Sequence, residues 1–585
     1  MSVQVLLATL NAKYVHSALA LYSLRRYCRQ VCPDIAVREY TVNNELLVIL
    51  GELYREKPDV LGLACYIWNI DATLELAGLV RKVLPATVIV LGGPEVSYDP
   101  AGIMETNDAV DYIVQGEGEE TLAALLAALA EGRVPRETPG LAFRSDGAVM
   151  AGFPQVVRDL KTIPFPYDDD DMAGLRGRIV YYESSRGCPY SCQYCLSSAT
   201  AGVRFLPVER VLDELAFFIA QGVKQIKFVD RTFNARREHY LPIIEFLAAQ
   251  DTSTNFHLEI AADLLDDDVL AVLKTAPPGR FQLEIGVQST NEDTLTAITR
   301  RNDWPRIVAN VGSLRAAGNI HLHLDLIAGL PYEDYRRFGQ SFNDVYSLKP
   351  HMLQLGFLKL LKGSGMRRTA DDHGYAFMDC APYEVLANKY ISYGEIRKLK
   401  IFEEMFNQLY NSGRFPATLD WFVATSGGAF ALYEAIAAYW EKHDLHLIAP
   451  GARGLARHLD GFCREAFPEQ TAICRQFLKF DTLGSDRDSG RPDFLPWDGA
   501  DREEAKSAFW RDEAAVRRYL PGYVFTSWRE VRNNHHIEFF DIDIPAWLDD
   551  GWFVKRPTAV LFTRSRGTPS WQKVEPGDLL KGRAV

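Results

Sequence analysis

Three cysteines stand within eight residues, at Cys188, Cys192 and Cys195 in the stretch ESSRGCPYSCQYCLSSAT. Three is an odd set of thiols. A disulfide takes two and a closed tetrahedral zinc site takes four. Thiolates are soft ligands that select zinc, copper(I) or iron–sulfur clusters. Cys-x3-Cys-x2-Cys can hold three irons of a cubane and leave one iron without a protein ligand, where ferredoxin spacings supply a fourth cysteine. An iron left open can bind substrate, as open-site catalytic zinc does. Gly187 and Pro189 favour a tight loop around such a cluster. Zinc with a distant histidine and plain structural thiols are the competing readings of the bare pattern.

The surrounding elements weigh against those two. Residues 179–362 hold six strand signals: RIVYYESS, VKQIKFVD, NFHLEIAA, GRFQLEIGVQS, NIHLHLDLIAGLP and MLQLGFLKLL. Helical patterns separate them. Six β/α units in a row predict a partial parallel barrel with its catalytic groups at the carboxyl ends of the strands. The cysteine loop follows the first strand, which is such an end. Upstream, residues 1–145 read as an α/β domain. VQVLLATL, PDVLGLACYI, ATVIVLGG and AVDYIVQG are short apolar runs, and helical spacing separates them. That alternation predicts a doubly wound parallel sheet, which binds ligands at its carboxyl edge. The edge carries NAKYVHS, YIWN, GGPEVS and GEGEE.

Residues 146–178 read as a linker, with Asp168 to Asp171 as a solvated turn or helix start rather than a metal site. Residues 363–585 are mainly helical, with strand-like pieces YVFTSW, HIEFFDID and TAVLFTR after a charged loop, GSDRDSGRPD. Within NNHHIEFFDID, His536 and Glu538 would share one side of a strand, spaced for metal or substrate or for plain solvent-facing alternation.

Composition sets the outer limits. At 585 residues the chain is too long for one ordinary core. A net charge of −13 offers no electrostatic footprint for nucleic acid. The N-terminal stretch lacks a signal peptide's basic region and cleavage site, and no run of about 18 apolar residues appears. Cys28, Cys32, Cys65, Cys380, Cys463 and Cys474 are scattered, as small buried hydrophobes are in a reducing cytosol. A cytoplasmic protein without a membrane partner is expected.

CPYSCQYC at the head of a six-unit half-barrel resembles the radical S-adenosylmethionine (SAM) superfamily, and Tyr194 before the third cysteine fits its pattern and is expected to meet SAM. The resemblance implies a [4Fe–4S] cluster on Cys188, Cys192 and Cys195, with SAM on the open iron and one-electron cleavage to a 5′-deoxyadenosyl radical. FHLEIAA resembles the fourth-region strand, so Glu259 is expected near the nucleoside. LEIGVQSTNEDTL is a signature of the branch, with Gln288 and Ser289 facing the cofactor. DLIAGLP resembles the sixth-strand signature, with Asp325 and Gly329. The second strand departs from the pattern: where many relatives carry Gly-Gly-Glu, this chain has KFVDRTFN, and Asp230 is the stand-in for holding the amino group. Polar groups satisfied inside a barrel are the alternative reading of these acids and amides.

The N-terminal domain is similar to the cobalamin-binding domain often fused to this barrel. LGGPEVS and YIVQGEGEETL carry that likeness. They point to Gly92, Gly93, Pro94, Glu95, Val96 and Ser97, and to Gly116, Glu117, Gly118 and Glu119, as cobalamin contacts, joined by Tyr14. Glycines there would let backbone approach the corrin and its tail. No Asp-x-His-x-x-Gly occurs, so cobalt is expected without a protein ligand below. His16 is the nearest alternative, and Tyr66 and Trp68 are expected to cover the lower corrin face or to pack in the core. FLKLLKGSGMR and YEVLANKYISYGEI resemble a C-terminal domain of unknown function found after such barrels.

The implied function is methylation of an unactivated carbon of a small-molecule substrate by a 5′-deoxyadenosyl radical and methylcobalamin. A reductase, flavodoxin or ferredoxin would donate the electron. A cobalamin-dependent rearrangement or cyclisation, RNA modification and a catalytically idle sensor are the alternatives.

Overall fold

The strand β1 (Val5–Asn11) is buried along its whole length, as a central parallel strand must be. In the computed structural model it lies between β2 (Ile35–Thr41) and β3 (Val60–Ala64). β4 (Val88–Gly92) and β5 (Tyr112–Val114) continue the parallel sheet in the order β2-β1-β3-β4-β5. An antiparallel hairpin, β6 (Leu141–Ser145) and β7 (Ala148–Met150), extends it. The pleat of β1 feeds two cores. Leu6, Ala8 and Leu10 point to one face, covered by α2 (Leu46–Glu56) and α3 (Ile70–Val83). Val5 and Leu7 point to the other, covered by α1 (Leu19–Cys28) and α6 (Gly118–Ala130). Two short helices, α4 (Pro94–Ser97) and α5 (Pro100–Thr106), follow β4. Strand order reverses direction across β1 and β3, so a crevice opens at their carboxyl ends.

The structure describes residues 3–579 except 136–137, 201, 449, 486–490, 499, 525–526, 528–529, 532–533 and 564–569. Contacts divide the chain into two compact units, Met1–Ile396 and Arg397–Val585.

The first unit also holds the second sheet. Six parallel strands lie side by side in chain order: β8 (Val180–Tyr182), β11 (Gln225–Phe228), β12 (Asn255–Ile260), β13 (Phe281–Gln288), β14 (His321–Ala328) and β15 (Met352–Phe357). They form a partial barrel; among the described residues, β8 and β15 do not pair and the barrel stays open. The small ladder of β9 (Ser185–Gly187) with β10 (Val203–Phe205) brackets the cysteine loop. After β15 the chain returns across both sheets of this unit as a strap. Lys362 pairs with Asp99 at 3.3 Å. Gly363 packs on the Tyr98 ring, where a Cβ would lie 2.4 Å from Cγ. The Met366 N–H donates to the Gln193 carbonyl at 2.8 Å. The strap ends in a two-stranded ladder, β16 (Ala376–Phe377) with β17 (Val385–Ala387).

Among the elements that went unread in the sequence are β2, α2 and the β6–β7 hairpin. β2 is an edge strand with only Ile35 fully buried, so its IAVREYT lacks a clear apolar run. Asp168 to Asp171 open a helix, Asp169–Gly174, through a capping box, and Asp171 pairs with Arg25 of α1.

The second unit is mainly helical. Helices Pro416–Thr425, Ala429–Lys442, Ala452–Ala466 and Thr471–Ser485 precede an antiparallel sheet of β18 (His535–Phe540), β19 (Thr558–Thr563) and β20 (Ser570–Val574). HIEFFDID and TAVLFTR supply β18 and β19. YVFTSW and the charged loop 484–493 lie partly outside the described residues.

Candidate functional site

The carboxyl ends of both sheets in the first unit line one cavity of about 1050 Å³. From the first sheet come Asn11, His16, Ala64, Tyr66, Trp68, Gly92–Pro94, Ser97, Tyr98 and Gly116–Glu119. From the second come Tyr181–Glu183, Arg186, Val229 and Arg231. The cavity continues as an apolar slot between the sheet and the helices α1 and α6, past Leu7, Leu21, Leu24, Leu63, Val90 and Leu122. Gly62, Gly92 and Gly118 also line it. A cavity of this volume with a mostly apolar lining has room for a ligand larger than a compact metabolite.

The glycines have a second reason to be glycine. Gly93 has φ +113°, and a Cβ there would lie 2.5 Å from the Cys65 carbonyl oxygen. Gly116 has φ +79°, and a Cβ would lie 2.4 Å from the Gln155 carbonyl oxygen. Both loops are pressed against neighbouring backbone. The Ser97 hydroxyl ties them together, accepting from the Gly116 N–H at 3.0 Å and donating to the Gly93 carbonyl at 2.8 Å. Tyr66 and Trp68 stack at 4.5 Å with rings 4° apart, and the indole N–H donates to the Leu10 carbonyl at 3.2 Å. Both rings therefore present a fixed flat surface on the wall.

The carboxylates of these loops are engaged with protein groups. Glu117 accepts from Arg204 at 2.6 and 2.9 Å, from Arg186 at 3.0 Å and from the Val157 N–H at 2.8 Å. Burial pushes its carboxyl upward, but the two guanidinium groups outweigh this and hold it below its usual range. Glu119 accepts from Arg186 at 3.0 Å. Arg186 and Arg204 belong to the ladder that brackets the cysteine loop, so Glu117 and Glu119 clamp that loop to the first sheet. Glu95 is 5% exposed and accepts from the Tyr383 hydroxyl of the strap. Glu95 and Val96 lie outside the cavity's lining, as does Tyr14, which is 74% exposed with Arg178 over its ring. His16 lines the cavity, with Nδ1 at 2.8 Å from the Tyr181 hydroxyl.

On the other side the cysteine loop leaves β8. Gly187 has φ +107° and a Cβ there would meet the Gly202 carbonyl at 2.2 Å. Cys188, Cys192 and Cys195 are all free thiols. Cys188 Sγ lies 3.5 Å from the Thr232 hydroxyl, and Cys192 Sγ lies 3.7 Å from Arg300 Nη1. Burial pushes the Cys192 thiol up and Arg300 pulls against it. Three thiols on one bracketed loop suit a cluster held from one side. Tyr98 links the two regions: it lines the cavity, and burial with the nearby Cys195 raises its hydroxyl.

The residues expected to meet SAM divide into four groups. Gln288 ends β13 at φ +70°, beside a register shift, and its buried amide oxygen has no partner. A strained residue with an unpaired buried acceptor at a strand's carboxyl end fits a ligand contact. Glu259 and Asp325 face the barrel interior. Asp230 and Ser289 are fully buried in protein contacts: Asp230 accepts from the Ser184 and Ser185 hydroxyls at 2.7 and 2.5 Å and its carboxyl is pushed by burial to about 7, while Ser289 donates to Glu333 at 2.7 Å. Tyr194 packs under the loop with its hydroxyl 3.1 Å from Arg300.

Around Glu259 and Asp325 lies a charged layer that sequence reading did not single out. Lys227 of β11 sits 3.0 Å from Glu284 and 3.7 Å from Glu259. His257 lies 2.8 Å from Glu284, and His323 lies 3.0 Å from Asp325. Burial raises Glu284, but His257 and Lys227 outweigh it and bring its carboxyl down to about 2. Glu284, His323 and Asp325 offer ligand atoms within 4.8 Å of one another. Lys227 already places a cation on that group, so the set reads as a charge-compensated wall. The signal was in the sequence: alternation in FQLEIGVQ and HLHLDL puts Glu284 with Gln288, and His321 and His323 with Asp325, on one face.

In the second unit, His536 and Glu538 do face each other, at 2.6 Å. Glu538 is fully buried against Lys479 at 2.9 Å and Lys506 at 3.5 Å, and these, with His536 and Asp498, hold it below its usual range against burial.

Residues 5–126 match the B12 binding domain family, 182–345 the radical SAM superfamily, and 371–562 a family described as a protein of unknown function, DUF4080. The chain joins a B12-binding domain to a radical SAM domain. It is 31% identical over 312 residues to 2-(S-pantetheinyl)-carbapenam-3-carboxylate methyltransferase of Streptantibioticus cattleyicolor, covering 50% of this chain and 46% of that one. It is also 31% identical over 324 residues to the cobalamin-dependent radical SAM methyltransferase TokK of Streptomyces tokunonensis, covering 52% and 47%. The chain thus spans about half the length of these curated relatives. The solved structure of the cobalamin-dependent S-adenosylmethionine radical enzyme OxsB, with aqua-cobalamin and S-adenosylmethionine bound, superposes with a TM-score of 0.58 at 16% identity over 91% of this chain and 83% of that one. That likeness is one of fold.

Proposed function

We infer that this chain is an enzyme that methylates an unactivated carbon of a small-molecule substrate with SAM, a [4Fe–4S] cluster and cobalamin. The observation that carries this reading is the single cavity lined by the carboxyl ends of both sheets, with the three-cysteine loop clamped to its rim. The two methyltransferases of similar sequence support it. Cys188, Cys192 and Cys195 would hold the cluster. Gly92–Pro94, Ser97, Gly116 and Gly118 would hold cobalamin by main chain, with Tyr66 and Trp68 against a flat face. Gln288, Glu259 and Asp325 would meet SAM. When bound, the cluster and SAM supply a carbon-centred radical and cobalamin supplies a methyl group.

The chain's own residues do the positioning. Glu117 fixes Arg186 and Arg204, and so fixes the cysteine loop against the glycine loops. The strap packs on Tyr98 and Gln193 and ties the two sheets together at that junction. Lys227 and the carboxylates beside it give the barrel wall charge of both signs, which suits a polar substrate. A small redox protein or reductase would deliver the electron. No helix among the described residues is long and apolar enough to cross a membrane, and we place the reaction in the cytoplasm. The test is product analysis of the anaerobically reconstituted, reduced protein with candidate substrates. S-adenosylhomocysteine and 5′-deoxyadenosine should form together with a methylated product, and Cys192→Ala should form neither. A product without an added methyl group, made with stoichiometric 5′-deoxyadenosine, would overturn methylation in favour of rearrangement or cyclisation.

A further inference from the structure

Among the described residues, one cationic side chain lies within hydrogen-bonding reach of the cysteine set. Arg300 follows the short helix Glu292–Ala297. Its Nη1 lies 3.7 Å from Cys192 Sγ and 3.1 Å from the Tyr194 hydroxyl. Its Nη2 donates to the Gly286 carbonyl, and its Nε donates to Asn302 Oδ1 at 3.1 Å. Asn302 is in turn fixed by donation to the Val287 carbonyl at 2.8 Å. Every arm of the guanidinium fork therefore has a partner, and the sulfur is one of them.

The backbone is arranged to aim it. Thr299, just before Arg300, sits at φ +54°, a conformation that a β-branched residue rarely adopts. The Arg300 N–H donates to the Leu295 carbonyl at 2.8 Å, and the Gln193 N–H donates to the Ile298 carbonyl at 2.9 Å. The same turn thus holds both the arginine and the cysteine loop. The contact is also selective: the partner at Cys188 is a neutral threonine hydroxyl.

We propose that Arg300 is a positioning residue that donates to the Cys192 sulfur and raises the reduction potential of the cluster, so that the electron donor can reduce it more readily. This rests on the reading that the three cysteines hold a [4Fe–4S] cluster. Reduction adds one negative charge, spread onto the cysteine sulfurs. A fixed cation donating to one of them stabilises the reduced form more than the oxidised form.

The test is an EPR-monitored redox titration of the SAM-free, cluster-loaded protein, with iron and sulfide measured on each sample. Arg300→Gln should load iron and sulfide as the wild type does and shift the midpoint to more negative potential. Arg300→Lys keeps the charge but loses the anchored fork, and should fall between the two. A fully loaded Arg300→Gln with the wild-type potential overturns the proposal. So does an Arg300→Lys at or above the wild-type potential. Should Arg300→Gln fail to load, the wild-type protein carrying guanidino-15N arginine decides. The reduced cluster should then show a 15N hyperfine coupling that Arg300→Lys abolishes, and its absence overturns the proposal. A wild-type protein that takes up no iron and sulfide instead refutes the cluster reading, and the inference falls with it.

Discussion

The two sheets of the first unit meet at one cavity but carry opposite interiors, and the charged layer of the second lies beyond the cavity's own lining. The first sheet offers glycine backbone, aromatic rings and an apolar slot, and its carboxylates Glu95, Glu117 and Glu119 are all engaged with protein partners. The second sheet keeps an interior of Lys227, His257, Glu259, Glu284, His323 and Asp325, ion-paired among themselves and partly open. On the function proposed above, one side would recognise shape and the other charge. Conserving shape requires that backbone positions be exact to a fraction of an ångström. Conserving charge requires only that the sum of a network be kept.

The largest effect should therefore come from a methyl group on the shape side. Gly116→Ala places a Cβ 2.4 Å from the Gln155 carbonyl oxygen at a left-handed φ. We expect a loss of at least about 2 kcal/mol in stability, read by denaturant titration, together with loss of cobalamin from the purified protein. Gly132→Ala has a similar φ of +67° but nothing within 4 Å. It should cost about 1 kcal/mol and leave cobalamin bound. Equal costs at the two positions would break the claim that close approach, and not conformation alone, selects glycine.

Next comes the clamp. Glu117→Gln removes the charge that two half-buried arginines face, and the cost should stay below the roughly 3 kcal/mol of breaking a fully buried pair. Glu117 sits below its usual range in the fold. Its contribution is therefore present above the carboxylate's ordinary pKa and is lost as pH falls through the lowered folded value. The stability gap between wild type and Glu117→Gln should be full at pH 7 and shrink in acid. A gap that stays constant down to strongly acidic pH would contradict the charge account.

On the charge side, Lys227→Met should cost less in stability, about 1–2 kcal/mol, because His257 remains beside Glu284. Its signature is instead electrostatic. The Glu284 carboxyl should climb from about 2 toward its ordinary range, which a carboxyl-resolved NMR titration would detect. No movement would mean that His257 alone sets it. The smallest effect belongs to Tyr14→Ala. That side chain is 74% exposed and outside the cavity, and both stability, within about 0.5 kcal/mol, and cobalamin content should stay unchanged.

The contrast also explains what the sequence disclosed. Apolar runs and helix spacing made both sheets legible, because the central strands of the first sheet are buried on both faces and read as continuous blocks, while strands of the second alternate. β2 failed that test, being an edge strand with one fully buried residue. The cysteine loop and the glycine loops were legible because their chemistry is local. What Glu117 and Glu119 do was not, since their partners Arg186 and Arg204 lie 69 and 87 residues away from Glu117. Arg300 was invisible for the same reason, 108 residues from the sulfur it touches. Glu284 and His323 stood in plain alternation with Gln288 and Asp325, and only the assembled barrel gives that alternation a meaning.

The central claim is that one cavity serves both sheets, and spin coupling tests it most directly. Protein loaded with cluster and with cob(II)alamin should show the cobalt EPR signal broadened when the cluster is reduced, and Cys192→Ala should remove that broadening. A protein that holds both groups in stoichiometric amounts, yet whose cobalt signal is indifferent to cluster reduction, would contradict the account.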